Sequence, residues 1–230
     1  MNEDEKVVLD YLFQTHSIYT GKKRNCVVAM VGVCASGKTT VARALAEKLN
    51  LHYVSADEVR VILRTRNPKA NYEHVRTIID EFVFNRLCYS EGSVIDSDFG
   101  NSGKRLLLEA MIADGTRCPV FFIRTTCDMD VMVGRAIDNI PDLFFVNAGT
   151  IYQGDNKGAV VKIREMIRQL PKHYSWSGGR WTLLPTKGIF ATIDTSDDAT
   201  PMIQHACARI VFRLTTGQSV PEDCVGGFPQ

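Results

Sequence analysis

An almost wholly apolar run, Cys26 to Val31, leads directly into Gly32-Val33-Cys34-Ala35-Ser36-Gly37-Lys38-Thr39. From Lys38 to Asn50 apolar residues then recur at helical spacing, with Val41, Leu45 and Leu49 four apart. A short apolar run bounded by glycine reads as a strand buried on both faces. Strand, glycine loop and helix in that order satisfy G-x-x-x-x-G-K-[ST] at every fixed position and in the required context. The physics needs these residue types. Glycines let the backbone turn its N–H groups inward at phosphate oxygens. The helix N-terminus adds partial positive charge. Lys38 supplies a full cation for the β/γ-phosphates, and the Thr39 hydroxyl can ligate Mg²⁺. Candidate nucleotide contacts are therefore Gly32, Cys34, Ala35, Ser36, Gly37, Lys38, Thr39 and Thr40.

The same reading extends along the chain. Strands are predicted at His52–Ser55, Ser93–Asp96, Cys118–Arg124 and Ile189–Asp194. Helices are predicted over 4–19, 56–66, 71–91, 102–114, 128–138, 159–170 and 199–214. Pro68 separates the second and third of these helices. Strands alternating with helices imply a parallel sheet covered on both faces, so the fold class is α/β: three layers, α/β/α, around five parallel strands. A ligand then belongs at the carboxyl ends of the strands. The expected organisation is a helical lead-in over 1–24, one domain over 25–216 and a loose tail over 217–230. Within the domain, 139–158 shows no clear period and is rich in Asn, Gly, Pro and aromatics. Residues 172–187 read as a small insertion, with a hairpin turn at Trp176-Ser-Gly-Gly-Arg-Trp181.

Composition narrows the partners. The chain has 230 residues and a formal net charge of +1. No global field gathers nucleic acid or coats a membrane, so a nucleic-acid partner is open but not favoured. No apolar run approaches the roughly 20 residues that span a bilayer, and the acidic start does not read as a signal peptide. Seven cysteines, odd in number and without a C-x-x-C pair, read as buried thiols of a cytoplasmic protein. His74 and His173 have no second ligand at zinc spacing.

Further candidates lie beyond the glycine loop. Asp57 and Arg60 follow the second strand at a spacing of three, so they share a helix face. An aspartate there can accept the proton of an attacking hydroxyl, and the arginine can clamp an anionic acceptor group. The alternative is an N-terminal acid with a surface salt-bridge partner. Asp96 closes the third strand, where a carboxylate can hold Mg²⁺ through water, contact the acceptor or cap the next turn; Asp98 is a second candidate. Thr195 and Ser196, in the Ile193-Asp194-Thr195-Ser196 turn, read on their own as a helix cap. Asp98-Phe99-Gly100 is not read as a protein-kinase signature, because an H-R-D loop is missing and a G-K-T loop is the wrong phosphate clamp. A GTPase N-K-x-D is not met: Asn156-Lys157 is followed by Gly158-Ala159.

The G-K-T loop, the D-x-x-R after the next strand and the carboxylate ending Ser93-Val94-Ile95-Asp96 resemble the P-loop kinase group. The similar branch holds polynucleotide 5′-kinases, chloramphenicol phosphotransferase and zeta-type toxins. The resemblance spans about residues 26–136 and 189–212. It implies a nucleotide-kinase-like strand order, ATP and Mg²⁺ as cofactors, Asp57 as base toward an acceptor hydroxyl, Arg60 as acceptor contact and Thr195 or Ser196 near the nucleotide base. It also implies that Arg135 opens a lid over 139–158 that closes on the transferred phosphoryl, although that segment lacks the arginines usual in such lids. Arg164 and Arg168 read as substitutes or as a solvated helix face. The expected activity is phosphoryl transfer from ATP to a hydroxyl of a small molecule or nucleotide, with a nucleic-acid 5′-hydroxyl as the other acceptor. A nucleotide-binding switch without a small acceptor is the competing class. Trp176, Arg180 and Trp181 stack on an acceptor, form an oligomer contact in a homodimer, or simply stabilise the hairpin.

Overall fold

A computed structural model describes residues 1–15, 24–70, 72–114, 118–138 and 157–218. In chain order these form α1 (Glu3–Thr15), β1 (Val27–Val31), α2 (Lys38–Leu49), β2 (His52–Ser55), α3 (Ala56–Arg66), α4 (Tyr72–Cys88), β3 (Ser93–Asp96) and α5 (Ser102–Ala113). There follow β4 (Val120–Thr126), α6 (Met129–Ile137), α7 (Lys157–His173), β5 (Tyr174–Ser177), β6 (Arg180–Leu183), β7 (Ile189–Asp194) and α8 (Thr200–Thr216). Five strands make one parallel sheet in the order β2-β3-β1-β4-β7. The strand order is the one the kinase resemblance implies.

Alternation along β1 divides the core. Val27, Ala29 and Val31 face one side, where they pack with α1, α3, α4 and α5 through Leu12, Val59, Phe82 and Leu108. Val28 and Met30 face the other side, where α2 and α8 cover them through Leu45, Leu49, Ile203 and Ile210. All five residues of β1 are buried, as a central strand of a parallel sheet requires. Each fully buried side chain of this size contributes about 1.5–3 kcal/mol. A third, smaller cluster joins α7 to the glycine loop through Val33, Met132, Met166, Leu170 and Tyr174.

The topology fixes where a ligand goes. β1 and β3 are neighbours, yet the helices that follow them, α2 and α5, lie on opposite faces. The chain therefore opens a crevice at the carboxyl ends of β1 and β3.

Several sequence boundaries move, two of them with a visible cause. β4 runs from Val120 to Thr126 rather than 118 to 124. The carbonyl of Pro119 accepts from Val27, but proline has no N–H to continue the ladder, and the carbonyl of Thr126 is held by the Thr195 amide. α7 extends three residues past its expected end, through Pro171 to His173, so the insertion starts inside a helix. His173 is anchored on Asp98, which holds that last turn in place. α1 is described to Thr15; its expected continuation to residue 19 lies outside the described residues. So do 139–156 of the expected lid and 219–230 of the expected tail.

Candidate nucleotide and acceptor site

The glycine loop is built by exclusion as much as by bonding. A Cβ on Gly32 would sit 2.4 Å from Thr125 Oγ1 and 2.8 Å from Ser36 Oγ. Those hydroxyls are hydrogen-bonded to each other at 2.7 Å, so no side chain fits. Gly37 has φ +77° and opens α2 without a side-chain cap. The first amides of α2 are thus left to an anion, which a helix N-terminus favours. Lys38 Nζ donates to the Val33 carbonyl at 2.7 Å, folded over its own loop.

The carboxylate at the end of β3 meets this loop from below. Asp96 is buried, accepts from Tyr53 Oη at 2.9 Å and is hydrogen-bonded by the Thr39 hydroxyl. Burial pushes its pKa up, outweighing the Lys38 charge and the hydrogen bonds from Thr39 and Tyr53; the Asp57 charge pushes the same way. Lys38, Thr39, Asp57 and Asp96 are therefore brought together. The reason is local: Ser55 pairs with Asp96 in register, and Ser55 is the N-cap of α3, accepting from the Glu58 amide. The first turn of α3, with Asp57 in it, starts beside Asp96.

Asp57 and Arg60 do share a face. Arg60 Nη1 donates to Asp57 Oδ1 at 2.5 Å, and the Asp57 side chain is 65% exposed. On its other side the Arg60 charge acts on Glu165 of α7. Burial alone would raise the Glu165 pKa, but hydrogen bonds from Arg168 and Gln169 and the charges of Arg168 and Arg60 bring it below the usual range.

Arg135 is held at the Thr195 turn. Its Nη2 donates to the Thr195 carbonyl at 2.5 Å, and its Nη1 to Thr195 Oγ1 at 3.1 Å and Cys127 Sγ at 3.3 Å. Thr195 in turn touches the loop, its hydroxyl donating to the Ser36 carbonyl at 3.0 Å. The closest atoms to a Cβ on Gly37 would be those of Thr195. Arg135 thus braces the wall of the loop through Thr195. Arg168 is 72% exposed and paired with Glu165 at 2.8 Å, and Arg164 is exposed.

Two ties to the loop were not legible in the sequence, the first made by the candidate Asp98. Asp98 Oδ1 accepts from the Gly32 and Gly100 amides at 3.2 and 2.9 Å, while Oδ2 meets buried His173 Nε2 at 3.1 Å. Burial opposes its ionisation, but the His173 hydrogen bond and charge, Lys38 and the Gly32 amide bring its pKa down to about 2. A Cβ on Gly100 would lie 2.5 Å from His173 Cε1, so Asp98-Phe99-Gly100 is a structural staple of this fold. The second is Gln169, whose Oε1 accepts from the Cys34 amide at 2.7 Å. The tell-tale would have been Glu165, Gln169 and His173 recurring every four residues on one stripe of α7.

The remaining candidates resolve simply. Trp176 and Trp181 pair across the β5–β6 hairpin with ring centroids 5.2 Å apart, 59% and 39% exposed. Cys26 and Cys118 are buried thiols, each pushed up to about 12 chiefly by burial. Among the described residues no group of three His, Cys, Asp or Glu is arranged to hold a metal. No described helix is long and apolar enough to cross a membrane.

Comparison with known proteins agrees with this geometry. Residues 27–99 match the family described as AAA domain. No curated protein matches the chain in sequence. Among solved structures, Chaetomium thermophilum Kti12 in complex with ADP-AlF3 is similar at 17% identity and a TM-score of 0.54, with 82% of this chain and 98% of that one covered. A putative kinase from Chloroflexus aurantiacus matches at 18% identity and a TM-score of 0.53, over 80% and 97%. The Mycobacterium tuberculosis APS kinase in complex with AMPPNP and APS matches at 15% and 0.50, over 84% and 99%. Loop, strand order and matched segment converge: the chain has the P-loop NTPase fold in the arrangement of the small P-loop kinases.

Proposed function

We propose that the protein is an ATP-dependent phosphotransferase that moves the γ-phosphoryl group to a hydroxyl of a small molecule or nucleotide. The observation that supports this best is the crevice itself. The phosphate loop follows β1, the helix with Asp57 and Arg60 follows β2, and Asp57 is near enough for its charge to act on Asp96 at the end of β3, the strand between them. Asp57 is exposed and so can receive a docked hydroxyl. As base it takes that proton while Arg60 moves from the ion pair to the acceptor. Lys38 and the loop amides hold the triphosphate.

The donor set suits Mg²⁺. That ion keeps several waters and binds through one or two protein oxygens plus substrate phosphates, without an all-protein cage. Thr39 would supply the direct oxygen. Asp96, hydrogen-bonded to Thr39 and Tyr53, would hold a coordinated water. When bound, the ion neutralises charge on the β- and γ-phosphates.

A nucleotide-dependent switch without a small acceptor is the second reading, favoured by one observation: Asp57 and Arg60 are already paired at 2.5 Å. ADP release from ATP with and without a pool of low-molecular-weight hydroxyl compounds separates the two. Acceptor-dependent release supports the kinase. Equal slow release in both arms supports the switch.

A further inference from the structure

We infer that Gln169 makes the phosphate loop discriminate between nucleoside triphosphate and diphosphate, an inference that rests on the nucleotide-binding reading above. The amides nearest the start of α2 serve the α- and β-phosphates. Cys34 lies further back in the loop, on the side facing α7, where its N–H donates to Gln169 Oε1. The Gln169 carboxamide is itself held, since Nε2 donates to Glu165 Oε1 at 2.8 Å. Glu165 also takes Arg168 at 2.8 Å. Below, Met166 and Leu170 pack in one apolar cluster with Val33, Cys34 and Ala35. One turn on, His173 ties the helix to Asp98 and through it to the Gly32 amide. α7 therefore grips the loop by side-chain contacts at Gly32 and at Cys34.

The consequence is a competition. A γ-phosphate that takes the Cys34 N–H must displace Gln169 Oε1, an uncharged acceptor in the position of an anion. A diphosphate, held by the amides at α2, leaves the contact in place. Gln169 is thus a positioning residue whose displacement reports the third phosphate to α7.

The test compares binding of Mg-AMPPNP and Mg-ADP by calorimetry to the full chain and to Gln169→Ala and Gln169→Glu. Removing the competitor in Gln169→Ala tightens AMPPNP by about three- to tenfold with ADP unchanged, the scale of one net hydrogen bond. Gln169→Glu places a fixed negative charge there and shifts the AMPPNP-to-ADP preference the opposite way. A mere structural role would move both nucleotides together. An unchanged AMPPNP-to-ADP ratio in both variants overturns the inference. Binding of neither nucleotide to the unaltered chain overturns the nucleotide-site reading, and the sensor with it.

Discussion

Tyr53 in β2 reaches diagonally across to Asp96, the last residue of β3, its phenol donating to the buried carboxylate at 2.9 Å. Burial raises the Asp96 pKa above its ordinary value despite that bond. The folded state therefore holds this proton more tightly than the unfolded chain. The stability linked to it is fully present below the unfolded pKa and is lost as pH rises through the folded one. Asp96→Asn removes the penalty. Its melting temperature at pH 7 rises, while acceptor phosphorylation drops by about 10- to 100-fold, the usual cost of losing a group that holds a metal-bound water. Calorimetric scans and turnover assays on the same preparation check both halves.

Asp98 shows the reverse linkage. Its pKa falls from the ordinary 3.8 to about 2, about 2 kcal/mol of stability by the usual conversion. That contribution is present above the unfolded pKa and is lost as pH falls toward 2. Asp98→Asn lowers the melting temperature at pH 7 by about 4–8 °C. The gap between variant and parent closes between about pH 4 and pH 2. A gap that stays constant across that range contradicts the assignment.

Gly100→Ala strikes the same staple sterically. The added methyl would lie 2.5 Å from His173 Cε1 and 2.7 Å from Nε2, so the imidazole must leave Asp98. Overpacking of this kind costs about 1–3 kcal/mol. Denaturant unfolding measures it. The double variant Gly100→Ala with His173→Ala, in which the obstacle is gone, is less destabilised than the two single changes added together.

The legibility of this fold in its sequence follows from which contacts are local. The β1–loop–α2 unit was readable because spacing and residue type dictate it within one segment. Asp57 and Arg60 were readable for the same reason, being one helical turn apart. The β2-β3-β1-β4-β7 order came from resemblance and is met by the structure. What could not be read is long-range: Gln169 meets Cys34 across 135 residues, and His173 meets Asp98 across 75. Arg135 was expected over the phosphoryl group. Its contact with Thr195, 60 residues away, was not readable, because it depends on β4 and β7 being neighbours.

Asp57→Asn tests the central claim most directly. Acceptor-dependent ADP release is measured for parent and variant beside their affinity for Mg-ADP. The account predicts a fall in turnover of about 10²- to 10⁴-fold, the usual contribution of a positioned base, with nucleotide affinity unchanged because the phosphate loop is untouched. Full turnover in the asparagine variant would contradict it.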